Sequence, residues 1–346
     1  MVKKQDIDTI IRRLFALSAP KVLITIVLLL SWTDLFQGRD YIDTIDFFAG
    51  AARVAKVSRA VGKRAMALDL SYHENEDVFN INSSPGFALG LMAALDGKMD
   101  QFWAALGVCC SSWIVTSRGS TGRSFLVPMG NLSYEKVRAA NAMVSRTVCI
   151  LLVLVACGAT WFLEQPSSSL LPRHARFQWT IRVFQRLHIR VFFQTFWMKW
   201  FDHPTPKRSI VFSTSAWIKQ LDQGSLKRKQ LKSEVSTTDR YVNSKGETKF
   251  KGSKHLKSTQ LYTWRYAAKI VELGDASAKE DRDPVPNVDW DTPLIDLYAN
   301  YPWGDLWAEG DLLSVVRYLR GSKKLKLPNE WRSVLPEFVV DEPMED

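Results

Sequence analysis

Residues 41–70 decide the fold, and they read YIDTIDFFAGAARVAKVSRAVGKRAMALDL. The apolar run from Tyr41 to Phe48 predicts a short strand that ends at a glycine turn. Ala52 to Val61 has the periodicity of a helix, and Arg64 to Leu70 predicts a second strand. A strand, a helix and a strand in this order predict a βαβ unit, whose two strands lie parallel in one sheet.

The alternation of strands and helices continues further along the chain. Strands are predicted over Val78 to Asn82, Phe102 to Val108 and Thr160 to Leu163, and helices over Pro85 to Leu95 and Tyr134 to Ala156. This pattern predicts an α/β fold with a doubly wound, Rossmann-like parallel sheet. Because ligands of such sheets bind at the carboxyl ends of the strands, the residues after each strand are the candidates for a site.

Small residues follow the first predicted strand, in the turn Asp46-Phe47-Phe48-Ala49-Gly50-Ala51-Ala52. Such a turn lets a ligand approach the backbone closely. Asp69 follows Gly50 by nineteen residues and ends the second strand. An acid at this spacing binds the ribose hydroxyls of a nucleoside cofactor. Together, the turn and the acid favour a cofactor site over a plain glycine turn beside an exposed aspartate.

Two further strand ends carry reactive side chains. The fourth strand runs into Leu106-Gly107-Val108-Cys109-Cys110-Ser111-Ser112-Trp113, and the fifth ends in Leu163-Glu164-Gln165-Pro166. With the first turn, these segments resemble the DNA cytosine-5 methyltransferases and their phage and algal relatives. The turn resembles the D-x-F-A-G cofactor motif of that family, Gly-Val-Cys-Cys its G-P-P-C nucleophile motif, and Leu-Glu-Gln-Pro its E-N-V or E-N-P motif.

The order and spacing of the motifs agree with this resemblance. Gly50 and Cys110 are 60 residues apart, and Cys110 and Glu164 are 54 apart, somewhat longer than is usual in the family. An inserted loop from Arg118 to Asn131 explains the extra length. A weaker match continues in His203 to Ser209, which stands where the family has a Q-x-R-x-R motif.

The resemblance implies a concrete mechanism. Cys110 as a thiolate adds to carbon 6 of a pyrimidine, Glu164 hydrogen-bonds the ring nitrogen, and carbon 5 takes a methyl group from S-adenosylmethionine. Because a free thiol has a pKa of about 8.5, a basic neighbour such as Arg118 or Arg123 is expected to lower the pKa of Cys110. The implied cofactor residues are Asp46, Phe48, Ala49, Gly50 and Asp69, with Asn80 or Asn82 placed to contact the adenine.

The chain departs from the family at several motif positions. Val108 and Cys109 replace the two prolines of the nucleophile motif, and Ala51 or Ala52 replaces the second glycine of the cofactor loop. Two alternatives to a cytosine methyltransferase therefore stay open. One is a protein of the same fold that has lost catalysis and binds nucleic acid, and the other is a methyltransferase of a different acceptor.

Charge divides the chain into blocks. The whole carries 46 basic and 36 acidic residues, a net of +10, but residues 173–273 hold a net of +15 and residues 274–346 a net of −8. A basic block with few acids favours nucleic acid, most simply DNA, as the partner. The predicted contacts to it are Lys207, Arg208, Lys227, Arg228, Lys229, Lys251 and Lys254.

Four regions follow from these patterns. They are an N-terminal apolar and basic segment (1–40), a methyltransferase-like domain (41–215), a basic extension (216–273), and an acidic, Trp-rich linker and helical tail (274–346). Within the last region, residues 281–293 are expected to form the linker and residues 303–320 to end in an amphipathic helix.

The N-terminal segment has the charge arrangement of a signal or anchor, because basic residues precede the apolar run Val22 to Trp32. That run has only eleven residues, whereas a spanning helix needs about 20, so a packed helix is expected more than a membrane span. The four cysteines form no C-x-x-C pair, which favours a reducing compartment, the nucleus or the cytoplasm. The five scattered histidines give no local metal motif.

Overall fold

A computed structural model describes residues 4–33, 41–280, 285–304 and 311–340. Its centre is a six-stranded sheet in the order β2-β1-β3-β4-β6-β5, in which β1 to β4 run parallel and β6 runs antiparallel to both of its neighbours. The strands are β1 (Thr44–Phe47), β2 (Ala65–Leu68), β3 (Trp103–Leu106), β4 (Thr160–Pro166), β5 (Phe192–Trp197) and β6 (Arg208–Ser213). The expected α/β fold is confirmed, and its mostly parallel sheet is compatible with a Rossmann-like arrangement.

Helices flank both faces of this sheet, and a separate two-stranded ribbon follows it. The helices are α1 (Lys4–Ala16), α2 (Lys21–Ser31), α3 (Arg53–Ala60), α4 (Ser84–Leu95), α5 (Arg118–Thr121), α6 (Glu135–Ala156), α7 (Ala175–Arg186), α8 (Trp264–Ser277), α9 (Leu294–Asn300), α10 (Leu312–Arg320) and α11 (Glu337–Val340). The ribbon pairs β7 (Thr238–Val242) with β8 (Thr248–Gly252) in antiparallel register.

The strand predicted over Val78 to Asn82 is wrong. A 3₁₀ turn at Glu76–Val78 stands in its place, followed by the start of α4. Asparagine and serine side chains satisfy the backbone there: Asn75 Oδ1 accepts a hydrogen bond from Asp77 N–H, and Ser83 Oγ accepts one from Gly86 N–H. Local bonds of this kind compete with strand pairing, so the apolar spacing alone was misleading.

The N-terminal helices belong to the main core. Ten of the eleven residues of α2 are buried, and Leu23, Leu29 and Leu30 have no exposed surface. Helix α2 packs against α4 and α10, so the apolar run beginning at Val22 is covered by protein. Residues 1–3 and 34–40 of the predicted N-terminal segment lie outside the described residues.

Helix α6 has a membrane-like composition but an interior position. Among the residues that the structure describes, it is the one helix long and apolar enough to cross a membrane by length and composition. However, 78% of its most apolar 18-residue window is buried inside the protein. The core helix of a soluble protein passes the same test, so length and composition do not assign a membrane.

The predicted basic extension, residues 216–273, divides into two parts. Its exposed part contains the ribbon, whereas its end forms α8, which packs on α3 and β3. Trp103 Nε1–H donates to Asp275 Oδ1 at 3.0 Å, and a Cβ atom at Gly274 would lie 2.3 Å from the Trp103 ring. Helix α8 therefore approaches the sheet so closely that only glycine fits at position 274.

The predicted C-terminal tail, residues 274–346, is described only in part. Helix α10 is amphipathic as expected and packs against α2 and α4, whereas residues 281–284 of the predicted linker, 305–310 and 341–346 lie outside the described residues.

We expect Leu29→Ala to lower the free energy of unfolding by about 2–5 kcal/mol, because it opens a cavity at a fully buried site of α2. Urea denaturation of the full chain measures this change. Leu126→Ala is the matched control, since the Leu126 side chain is 89% exposed, and its effect should stay within about 0.5 kcal/mol. Equal, small effects of both variants would show that the N-terminal helices are not part of the cooperative core.

Candidate functional site

The turn after β1 is held in an unusual backbone conformation. Phe48, Gly50 and Ala52 have φ values of +57°, +54° and +54°. This left-handed region suits glycine, but each non-glycine residue there costs about 1–2 kcal/mol. Strain of this kind clusters at ligand-binding sites, because the surrounding structure has to hold it in place.

Asp69 is the group that holds the turn. Its Oδ2 accepts a hydrogen bond from Gly50 N–H at 2.8 Å, and its Oδ1 accepts bonds from the backbone and hydroxyl of Ser71. Tyr72 adds a bond from its hydroxyl to the Gly50 carbonyl at 2.9 Å. A carboxylate offers about four acceptor positions, so one position on Oδ2 is left for a ligand hydroxyl.

A cavity of about 240 Å³ opens at the carboxyl ends of β1, β2 and β3. Phe48 from the first turn, Asp69 from the second strand, Asn80, Gly107 and Cys109 line it, whereas the predicted catalytic residues Cys110 and Glu164 do not. Apolar side chains make up most of the remaining wall, namely Phe47, Leu68, Leu70, Phe79, Ile81, Leu89 and Met143.

The two candidate asparagines differ in position. Asn80 lines the cavity, and its Oδ1 accepts a hydrogen bond from Asn82 N–H at 3.0 Å. That bond uses one acceptor position of the Asn80 amide and leaves its NH₂ group for a ligand. Asn82 does not line the cavity; its Nδ2 donates to the Ala139 carbonyl of α6.

Asp46 and Ala49 lie beneath the turn. The Asp46 side chain is buried, and its Oδ2 accepts a hydrogen bond from Ala55 N–H in the first turn of α3 at 3.2 Å. Burial raises the pKa of Asp46 to about 7, although the Ala55 bond opposes this rise. Ala49 packs with Ala52 and Ala55 in a small cluster of its own. Both residues shape the loop from below and do not line the cavity.

The two cysteines after β3 have different surroundings. Cys109 is exposed and lines the cavity, whereas Cys110 is partly buried beside Glu164 and Lys207. Burial raises the pKa of Cys110 to about 11, the positive charge of Lys207 lowers it, and the negative charge of Glu164 raises it. The thiol form of Cys110 is therefore dominant at neutral pH.

Glu164 lies at the centre of a polar cluster. Its carboxylate is 7% exposed; Lys207 Nζ lies 3.3 Å from Oε1, and the Tyr262 hydroxyl donates to Oε2 at 3.3 Å. Tyr262 also covers Gly107, where a Cβ atom would lie 2.9 Å from the phenol oxygen. Burial and the negative charge of Glu164 hold the pKa of Tyr262 well above its usual value, so the phenol keeps its proton.

Sequence reasoning missed Tyr262 and placed Lys207 on the nucleic-acid surface. Tyr262 comes from the end of the basic extension, 98 residues after Glu164. Two contacts hold its segment: Arg53 donates to the Tyr262 carbonyl, and the Arg53 guanidinium stacks 5.3 Å from the Trp264 ring. The only local signal was the pair of aromatic residues Tyr262 and Trp264, which follows the lysine-rich stretch.

Neither Arg118 nor Arg123 acts on Cys110, contrary to the expectation from sequence. Arg123 is buried with its guanidinium 3.5 Å from the Trp113 ring centroid, and it donates to Ser112 Oγ and to the Pro128 carbonyl. Arg118 is exposed at the start of α5. The cation beside the thiol is Lys207, because the return of β6 next to β4 brings it to the strand end.

Gln165 ties the two reactive segments together. Its Nε2 donates to the Val108 carbonyl at 2.6 Å, and its Oε1 accepts a hydrogen bond from Ser169 Oγ at 2.9 Å. The fully buried amide thus fixes the loop that carries Cys110 against the end of β4. This bond replaces part of the rigidity that prolines would give to the nucleophile loop.

The other predicted nucleic-acid contacts lie outside the cavity. Arg208 is exposed with its guanidinium 5.6 Å from the Trp197 ring. The remaining ones are exposed in and around the ribbon: Lys227, Arg228, Lys229, Lys251 and Lys254. The described residues contain no group of three His, Cys, Asp or Glu side chains placed to hold a metal ion.

A scan against protein-family models finds no match to this chain, and comparisons with curated proteins and with solved structures find none either.

Replacing Lys207 by Met should slow alkylation of Cys110 by iodoacetamide at pH 9 by about threefold or more, because loss of the cation raises the pKa of the thiol further. The measurement is the pH profile of the alkylation rate in a Cys109→Ser background, where Cys149 and Cys157 are buried. Arg118→Met is the matched control and should leave the profile unchanged. If the Arg118 variant reacted more slowly and the Lys207 variant reacted at the parent rate, Lys207 would not be the cation that acts on Cys110.

Proposed function

We propose that this protein is an S-adenosylmethionine-dependent methyltransferase acting on nucleic acid, with the chemistry of the cytosine-5 type. The observation that carries the proposal is the cavity of about 240 Å³ that joins Phe48, Asp69, Asn80 and Cys109 at one edge of the sheet. These residues come from separate segments that the resemblance assigned to one cofactor and one nucleophile. The carboxyl ends of the adjacent parallel strands β1, β2 and β3 lie at this edge, which is where ligands of such sheets bind.

The residues of the cavity fit a nucleoside cofactor. The free acceptor position of Asp69 suits a ribose hydroxyl, the Asn80 NH₂ group suits an acceptor nitrogen of adenine, and the apolar wall suits the faces of the base. The volume is just below the range of about 300–1,000 Å³ of ligand pockets. It would therefore enclose the adenosine, and the remainder would extend past Gly107 toward Cys109.

The order of the sheet supports the same scaffold. An antiparallel strand, β6, lies between β4 and β5, which are parallel to each other. A mostly parallel sheet with one antiparallel strand is compatible with the Rossmann-like scaffold that the proposal requires. In this chain the inserted strand also starts beside Lys207, and so it delivers a cation to Glu164.

The groups around Glu164 suit an acceptor ring. S-adenosylmethionine would supply an electrophilic methyl group. Cys110 Sγ, once it has lost its proton to water, would form a bond to carbon 6 of the pyrimidine as the carbon 5–carbon 6 double bond opens, and Glu164 would hydrogen-bond the ring nitrogen, which takes up a proton from water in the adduct. After carbon 5 has gained the methyl group, it would lose its proton to water, the carbon 5–carbon 6 double bond would form again, and the sulfur–carbon bond would break and return the thiolate. Lys207 would stabilise the thiolate at both stages.

Tyr262 sets a condition on this reaction. Its phenol already donates to Glu164 Oε2, so an acceptor ring that uses the same oxygen has to displace it. Displacement would also move the Tyr262 hydroxyl away from Gly107, which lines the cavity. Acceptor binding and opening of the site are thus one event in the proposed reaction.

A second candidate function is nucleic-acid binding on the same scaffold without catalysis. The raised pKa of Cys110 favours it, because a thiol with a pKa of about 11 is a weak nucleophile at neutral pH. The same observation also suits a methyltransferase whose acceptor needs no thiolate. A test of cofactor binding distinguishes the protein without catalysis from an enzyme. Covalent trapping distinguishes a methyltransferase of another acceptor from a cytosine methyltransferase.

Isothermal titration of the full chain with S-adenosylmethionine should give a binding isotherm, and Asp69→Asn should weaken the affinity by about tenfold or more through loss of a charge-assisted hydrogen bond. Asp43→Asn is a matched control, because Asp43 accepts a backbone bond from Arg64 N–H just before β1, away from the cavity. No heat with the parent protein, or equal affinities of the two variants, would refute the cofactor site.

Incubation with S-adenosylmethionine and a 5-fluorocytosine oligonucleotide should trap a covalent complex, because the carbon–fluorine bond prevents release of the enzyme. Denaturing electrophoresis detects the adduct. Cys110→Ser should abolish it, and Cys109→Ser should retain it, since the charges of Glu164 and Lys207 act on Cys110. An adduct that survives in the Cys110 variant would assign the nucleophile elsewhere.

A further inference from the structure

The β7–β8 ribbon is an isolated, exposed element. Five residues of β7 pair with five of β8, and every residue of β7 is exposed. An isolated two-stranded hairpin is only marginally stable in water. The protein therefore carries a regular element that contributes little to its core, which points to a role in binding.

The register of the ribbon sorts its side chains onto two faces. Tyr241 pairs with Lys249, and Asp239 with Lys251, so these residues share one face. Arg240 lies on the other face, where its guanidinium donates to Thr248 Oγ1 at 3.3 Å. On the first face Lys251 Nζ lies 5.8 Å from the Tyr241 ring. One face thus presents the Tyr241 ring with Lys249 and Lys251. The other face presents Arg240, so both faces of the ribbon carry cations.

The segments beside the ribbon extend its positive charge. Residues 223–258 contain ten lysines and arginines against three acidic residues. Two of the acids are already paired within the protein: Glu234 with Lys199, and Glu247 with Lys249. The net charge of the exposed surface is therefore strongly positive and complements a polyanion.

The ribbon is rooted beside the candidate site. At its start, Glu234 N–H donates to the Pro204 carbonyl at 2.9 Å. At its end, the His203 ring lies 2.9 Å from the Thr259 carbonyl through Nε2. Both attachments lie within four residues of Lys207, and Tyr262 follows β8 by ten residues. The chain from β8 to Tyr262 can span at most about 35 Å, so the end of the ribbon lies within that distance of Tyr262.

We propose that the β7–β8 ribbon binds in the major groove of duplex DNA, with the face of Tyr241, Lys249 and Lys251 toward the base edges. The major groove of B-form DNA, about 12 Å wide, admits a two-stranded ribbon, and phosphates on both walls match cations on both faces. The deep, narrow major groove of duplex RNA does not admit it. This inference deepens the proposed function and rests on its nucleic-acid substrate.

Fluorescence anisotropy with a labelled DNA duplex, its single strand and an RNA duplex of the same sequence tests the proposal on the full chain. The DNA duplex should bind at least tenfold more tightly than the other two. The double variant Lys249→Gln with Lys251→Gln should bind the duplex more weakly and lower the slope of log affinity against log salt by about 1–2. The matched control, Lys323→Gln with Lys324→Gln, alters two exposed lysines elsewhere and should change neither.

A shape variant separates geometry from charge. Gly246→Val keeps every charge but strains the ribbon turn, because Gly246 has a φ of +76°, and it should weaken duplex binding as the double variant does. Equal binding of single strand and duplex, or an unchanged affinity of Gly246→Val, would overturn the proposal. Titration of the same variants with S-adenosylmethionine distinguishes this proposal from the proposed function. Duplex binding without cofactor binding would refute the methyltransferase activity and leave the proposal on the ribbon intact.

Discussion

The hydrogen bond from Gly50 N–H to the Asp69 carboxylate is the contact on which the site depends. It joins the strained turn after β1 to the end of β2, and the cavity wall exists only while the two strand ends stay together. The turn holds Phe48 and Ala52 in the left-handed region, which costs about 1–2 kcal/mol for each of them. A charge-assisted hydrogen bond contributes about 1.5–3 kcal/mol, so Asp69 offsets much of this strain.

The parallel sheet could be predicted because its signals are local. The strand over Tyr41 to Phe48, the glycine turn and the acid nineteen residues later all lie within one βαβ unit, and the cavity formed where these signals placed it. The error at Val78 to Asn82 has a local cause too. Asparagine and serine side chains bond to nearby backbone groups there, and an apolar pattern does not record that competition.

The partners of Glu164 were beyond prediction because they are not local. Lys207 reaches it through the antiparallel return of β6, and Tyr262 through the docking of α8 against the sheet. The sequence also offered Arg118 and Arg123 as nearer cations. Packing decided between them: Arg123 contacts Trp113 and donates to backbone carbonyls, whereas Lys207 Nζ lies 3.3 Å from the Glu164 carboxylate. Charge counts along the chain do not distinguish these two uses of a cation.

In the proposed reaction, Glu164 exchanges one of its partners for the acceptor. In the structure, Lys207 Nζ lies 3.3 Å from its Oε1, the Tyr262 phenol donates to Oε2, and burial holds Cys110 as a thiol. Removal of the phenol would admit solvent or an acceptor to the space over Gly107 and so reduce the desolvation that raises the pKa of Cys110. The nucleophile would then gain charge only when the site opens. The segment that carries Tyr262 continues from the basic ribbon, so binding of a ligand to the ribbon can be coupled to opening of the site. Until the site opens, Cys110 would not be exposed as a thiolate.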